Sequence, residues 1–118
     1  MERYYFHGLV TDVYDGDSLT ADISVGFGVV LKGVKLRLAG VDTPEIRGGT
    51  DLTKAAARKS RDYVRELVLD KTIGIHSVKK GKYGRVIARI WVLEEEKPLS
   101  ESVNDELIRL GLATAYGA

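Results

Sequence analysis

The sequence predicts a mainly β fold, a five-stranded Greek-key barrel of the OB type that carries two helices. Three observations lead there: five stretches alternate apolar and polar residues at strand period, Gly or Asp punctuates the joins, and a single helical pattern falls between strands. A parallel sheet needs a crossover helix between most of its strands. One inserted helix therefore points to hairpins wrapped around a common core, and to a barrel rather than a sandwich.

The strands read Tyr4 to Tyr14, Leu19 to Val25, Val29 to Val41, Thr72 to Val78 and Arg85 to Leu93. Gly16, the Gly26-Phe27-Gly28 hairpin tip, Gly33 and Gly84 supply turns and bulges, with Asp-Gly at 15–16 read as a tight turn needing positive φ. Between the third and fourth strands, Thr50 or Asp51 caps a helix running to about Val68. Leu52, Ala55, Ala56, Tyr63, Val64 and Leu67 form its apolar face, opposite Lys54, Arg58, Arg61 and Arg65. A shorter helix starts near Ser102 with Asp105 as capping-box partner, turns Val103, Leu107 and Leu110 inward and ends at Gly111. Trp91, between Ile90 and Val92, is expected to fill core space. The element order is βββαββα.

A chain of 118 residues supports one core, so residues 1–118 are expected to form a single domain. The absence of cysteine excludes a disulfide framework, a zinc-thiolate site and a thiol nucleophile. His7 and His76 are isolated, so any metal must be one that prefers oxygen. Net charge is +1, but basic residues crowd Lys54 to Arg65 and Lys79 to Arg89 while acidic ones crowd Glu94 to Glu106. That division allows one basic face and modest, salt-sensitive binding of nucleic acid. The N-terminus has no basic-then-apolar leader and no stretch reaches membrane-spanning length, so the expected location is the cytoplasm, or outside the cell if the chain is already processed.

Three short clusters of charge sit at strand edges. In Asp15-Gly16-Asp17-Ser18, Asp17 starts a strand, from which its carboxylate can face outward to a cation. In Asp42-Thr43-Pro44-Glu45, Pro44 holds Thr43 extended, so a carboxylate, a backbone carbonyl and a second carboxylate share a small volume. Oxygen donors at that density suit calcium, which accepts flexible geometry and keeps several waters. Arg37, on the strand leading into Asp42, and Arg85, after the glycine-relaxed Lys82-Tyr83-Gly84 turn, can each present a planar fork to a phosphate. Taken singly, each cluster is matched by a plain structural role. Taken together, they make a set of parts for metal-assisted phosphodiester hydrolysis.

The clusters resemble the signature of the staphylococcal nuclease (thermonuclease) family. The resemblance runs through Val13-Tyr14-Asp15-Gly16-Asp17-Ser18-Leu19, Leu36 to Glu45, Lys82-Tyr83-Gly84-Arg85 and Val103 to Ala113, in that order. It implies an OB-type barrel and a hydrolase: a calcium-dependent endo- or exonuclease cleaving DNA and RNA to 3′-phosphate products, preferring single strands. By position, Asp17, Asp42 and the Thr43 carbonyl match the calcium (Ca2+) ligands, and Glu45 the residue that orients or deprotonates the attacking water. Arg37 and Arg85 match the guanidiniums that stabilise developing charge. Lys82 and Tyr83 match a grip on the terminal phosphate, with Tyr116 set to lie against a base or sugar or simply to pack. The alternative the resemblance also allows is a non-catalytic module of the same fold that binds nucleic acid or peptide.

Three departures stand out. Family members usually carry a further C-terminal helix, whereas this sequence ends at Gly117-Ala118, which leaves a monomer expected and a dimer as the alternative. The hairpin around Gly26-Phe27-Gly28 is also longer than usual, and Ser18 replaces the usual Thr while keeping a hydroxyl.

Overall fold

Alternating burial governs the first strands of the computed structural model, which describes residues 5–44, 50–80, 84–94, 97–98 and 101–115. In β1 (Tyr5–Asp15) and β2 (Ser18–Gly26), Val10, Val13, Leu19, Ala21 and Ile23 turn inward. β3 (Val29–Leu38) adds Leu36 and Leu38, β5 (Thr72–Lys80) adds Ile73 and Ile75, and β6 (Val86–Glu94) adds Ala88 and Ile90. Antiparallel pairing runs in the order β3-β2-β1-β5-β6, and β3 then meets β6 in parallel through Leu36–Val86, Arg37–Ile87 and Leu38–Ala88. That last ladder closes the sheet into the expected five-stranded OB-type barrel.

The long third strand of the sequence reading is broken. Gly40 takes a left-handed φ of 74°, so Ala39-Gly40 turns and a separate two-residue strand, β4 (Val41–Asp42), follows. β4 pairs with β8 (Thr114–Ala115), setting Asp42 against Thr114. A further two-residue strand, β7 (Lys97–Pro98), continues β6 as a hairpin. Such short strands leave no periodic signal to read.

Helix α1 (Asp51–Val68) begins at Thr50, whose side chain accepts from the Thr53 backbone while Thr53 Oγ1 accepts from the Thr50 N–H. Its buried stripe is Ala57, Ser60, Val64 and Val68, rotated from the expected face: Leu52 is 84% exposed and Ala55 and Ala56 are exposed too. The reason is close approach. A Cβ on Gly16 would lie 3.0 Å from Ser60 Cβ and 3.0 Å from Thr43 Cγ2, so the helix sets its small residues over the β1–β2 turn. Gly16 has no positive φ, and its glycine serves this packing rather than the left-handed turn expected of Asp-Gly. Arg65, assigned to the solvent face, instead donates through Nε to the Val13 carbonyl at 3.2 Å.

Helix α2 (Val103–Arg109) is capped by Ser102, whose Oγ accepts from the Asp105 N–H at 3.1 Å, and Gly111 follows in a left-handed conformation with φ 73°. Val103 and Leu107 are buried as expected, but Leu110 is 44% exposed and the third inward residue is Asn104. Asn104 Oδ1 accepts from the Ile90 N–H at 3.0 Å, and Nδ2 donates to the Ala39 and Ala88 carbonyls at 2.8 and 3.1 Å. A buried amide thus satisfies backbone groups where the sheet turns away. Trp91 belongs to the outside of the barrel, half-buried, where Tyr5 stacks between it and His76 with both ring centroids 5.7 Å away. Its neighbours Ile90 and Ala88 hold the inward positions, and strand alternation turns Trp91 out.

Beyond the closed part, β2 and β3 continue as a hairpin. Gly26 pairs with Val29 across a two-residue turn in which Phe27 and Gly28 both have positive φ, 56° and 73°. This is the primed turn that matches strand twist, and it favours Asn, Asp or Gly at both positions. Phe27 there bears a cost of about 1–2 kcal/mol.

Candidate active site

One flank of the barrel gathers the charged clusters from three places in the chain. Asp17 ends the β1–β2 turn, Arg37 lies on β3 directly across from Ser18, and Asp42 lies on β4. The Asp17 backbone carbonyl also accepts from the Leu38 N–H at 2.8 Å, so the turn and the end of β3 are tied by main chain as well.

Asp17 does not face outward as expected. It is 7% exposed, and its carboxylate takes donors on both oxygens: Ser18 Oγ at 3.1 Å from Oδ1, and the Thr43 N–H and Arg37 Nη1, each 3.1 Å from Oδ2. Its burial follows from the helix that presses on Gly16 beside it. A carboxylate this enclosed is held in one orientation by charge-assisted bonds. Arg37 Nη1 also donates to the Val41 and Leu38 carbonyls at 2.8 and 3.2 Å, while Nη2 lies 3.6 Å from Asp42 Oδ1. One edge of the guanidinium is therefore structural, and the other is turned to a carboxylate whose side chain is 52% exposed.

Thr43 is 4% exposed, and its buried Oγ1 has no hydrogen-bond partner among the described residues. Beside it, Asp42, Thr43 and Pro44 face Gly111 to Thr114 across a hollow of about 260 Å³. The wall of that hollow is fixed by Ser60 Oγ, which donates to the Leu112 carbonyl at 2.7 Å. Arg85 is half-buried just before β6, two residues ahead of Ile87, the register partner of Arg37. Gly84 before it has φ 75°, the relaxed turn the sequence indicated. Glu45, Lys82, Tyr83 and Tyr116 lie outside the described residues.

Among the described residues the donors are oxygens and suit a hard cation: two carboxylates and, beside the Thr43 carbonyl expected as a ligand, an unpartnered Thr43 Oγ1. Among the described residues no three His, Cys, Asp or Glu side chains cluster closely enough to hold a metal by themselves. A calcium ion, with six to eight oxygens, would draw the rest from backbone, water and substrate. Sequence reading missed the two structural residues that build this flank, Ser60 and Asn104. A polar residue at a buried helical position gives no periodic signal, and only the partner's location reveals it.

Residues 35–118 match the staphylococcal nuclease homologue family. An "uncharacterized endonuclease" of Escherichia coli is 29% identical over 110 residues, covering 93% of this chain and 61% of that protein. An uncharacterized protein of Methanocaldococcus jannaschii is 30% identical over 135 residues, covering 98% of this chain and 60% of its own length. A "probable endonuclease" of Komagataella phaffii is 25% identical over 130 residues, covering 95% and 56%. The chain thus spans about three fifths of the length of these curated relatives.

Proposed function

Because this chain belongs to the staphylococcal nuclease homologue family, we propose that it is a nuclease, hydrolysing phosphodiester bonds of DNA and RNA with calcium and leaving 3′-phosphate products. The observation that carries the proposal is the convergence of Asp17, Arg37 and Asp42, in which one guanidinium lies 3.1 and 3.6 Å from two carboxylates drawn from separate elements.

In this reading Asp17, Asp42 and the Thr43 carbonyl hold the cation, which when bound neutralises phosphate charge and lowers the pKa of water. Asp17 keeps its orientation through Ser18 and the Thr43 N–H. Arg37 meets the phosphate by its Nη2 edge, since Nη1 is committed to Asp17, Leu38 and Val41. Arg85 approaches from the neighbouring β6 side, so the two forks bracket the reacting group and stabilise charge as it grows. Glu45 orients the water or takes its proton, and the 5′-oxygen leaves. Lys82 and Tyr83 grip the terminal phosphate, and Tyr116 follows β8, which pairs beside Asp42. A small cleft reaches one phosphate most easily in an unstacked strand, which favours single-stranded substrate.

The test is release of acid-soluble nucleotides from denatured DNA in calcium or EDTA, with the Glu45→Ala and Arg85→Ala chains alongside. Calcium-dependent release that falls about 10²- to 10³-fold in each variant is the expected result. Full release in EDTA removes the metal, and full release by Glu45→Ala removes that residue's role. Retained oligonucleotide binding with no cleavage by the wild type makes the domain a binding module instead.

A further inference from the structure

The β2–β3 hairpin carries features that neither the barrel nor the site explains. Phe27 at its tip is 103% exposed, so the ring contributes no packing, yet it holds a turn position where Asn, Asp or Gly is preferred. A local rule broken without a compensating contact within the fold points to use by something outside it. Behind the tip, Val29, Val30 and Leu31 are each close to half exposed.

The arm is continuous with the site. Ser18 and Arg37 pair at one end of the β2–β3 ladder and Gly26 and Val29 at the other, roughly 26 Å away at about 3.3 Å per residue. Thr20 and Lys35 pair next, on the face that carries Ser18 and Arg37, whereas Leu19, Ala21 and Leu36 point into the core. At the bulge Asp22 binds the Gly33 N–H at 2.9 Å and holds Lys32 Nζ at 3.5 Å, which brings a second ammonium to this face. Arg37, Lys35 and Lys32 thus mark a line of cations from the reacting centre toward an aromatic tip, interrupted by the carboxylate of Asp22 and flanked on β1 by Asp12 and Asp15, the register partners of Thr20 and Ser18.

We propose that this hairpin is a substrate arm: the strand leaving the reacting phosphate runs along Lys35 and Lys32, and Phe27 stacks on a base at the far end. The proposal rests on the nuclease reading for its choice of partner. A phosphate backbone fits the cations, a base fits the ring, and the shared strands set a span that an extended, unstacked strand covers in about four nucleotides at roughly 6 Å each. Substrates shorter than that never reach the tip.

The full chain, wild type, Phe27→Asn and Lys35→Gln, is assayed on a thymidine dinucleotide and on thymidine strands of about 20 nucleotides. Cleavage is followed in calcium and binding by fluorescence anisotropy in EDTA. Phe27→Asn suits the turn better than Phe, so its fold is safe, and a melting curve verifies this. The expected result for Phe27→Asn is about a 5- to 100-fold loss in affinity and in kcat/KM on the long strand with the dinucleotide unchanged, and for Lys35→Gln a weaker long-strand affinity with a shallower salt dependence. Equal behaviour of wild type and Phe27→Asn on the long strand overturns the arm while leaving the nuclease standing. Length-dependent loss of binding in a wild type that cleaves nothing keeps the arm and removes the nuclease. No binding by the wild type removes both, and a dimer that Phe27→Asn dissociates without effect on nucleic acid assigns the tip to a second copy.

Discussion

The same two strands end in opposite conditions. At the Ser18–Arg37 end of β2 and β3, the charged groups are held on several sides: among the described residues, Asp17 by three donors, Arg37 by two carboxylates and two carbonyls. At the Gly26–Val29 end, apolar side chains stand in water and a phenylalanine sits in a strained turn. Composition does not produce this contrast. The barrel closes around Leu36–Val86 to Leu38–Ala88, and only residues within reach of that closure are covered.

Removing the guanidinium from the covered end breaks the comparison most severely. Arg37 and Asp17 side chains are 16% and 10% exposed, so Arg37→Ala leaves a nearly buried carboxylate unpaired and is expected to cost about 3–5 kcal/mol in denaturant unfolding. A loss below about 1 kcal/mol would mean that water replaces the arginine freely and that this end is no better enclosed than the tip. Gly16→Ala should come next, at about 1–3 kcal/mol, because its new Cβ meets Ser60, Thr43 and the helix backbone, and a thermal melt reads it directly.

At the exposed end the sign reverses. Phe27→Asn should stabilise the fold by about 0.5–1 kcal/mol, since Asn tolerates the left-handed turn. Destabilisation would show that the ring packs against something in solution. The smallest effect lies away from both ends. Tyr63 donates to the Glu106 carboxylate, and that bond, followed by burial, raises its pKa from 10.0 to about 12. The neutral form makes the bond, so its stabilisation is complete below pH 10 and is lost as pH rises through about 12. Tyr63→Phe should remove that alkaline decline from the stability profile.

Much of the barrel is legible in the sequence because strand alternation reports a face and turn residues report breaks. Helix caps at Thr50 and Ser102 and the glycine stop at Gly111 are local chemistry and read equally well. What escaped depends on partners distant in sequence. Hydrophobic periodicity misplaces the helix face because Ala57 and Ser60 are buried for their smallness against Gly16, not for hydrophobicity. The apolar character of Trp91 suggests the inside, whereas its strand neighbours fix it outside. The sequence brings Asp17, Arg37 and Asp42 to notice as acids and bases at strand edges, but the enclosure of Asp17 and the committed edge of Arg37 emerge only with the helix and β4 in place.

The β3–β6 ladder joins positions about fifty residues apart, across the whole of α1 and β5. An open sheet would show nearly all the secondary structure and yet keep the two arginines on separate edges. During refolding from denaturant, recovery of the near-ultraviolet signal of tertiary packing should accordingly lag the far-ultraviolet circular dichroism signal, since long-range closure is the slow entropic step.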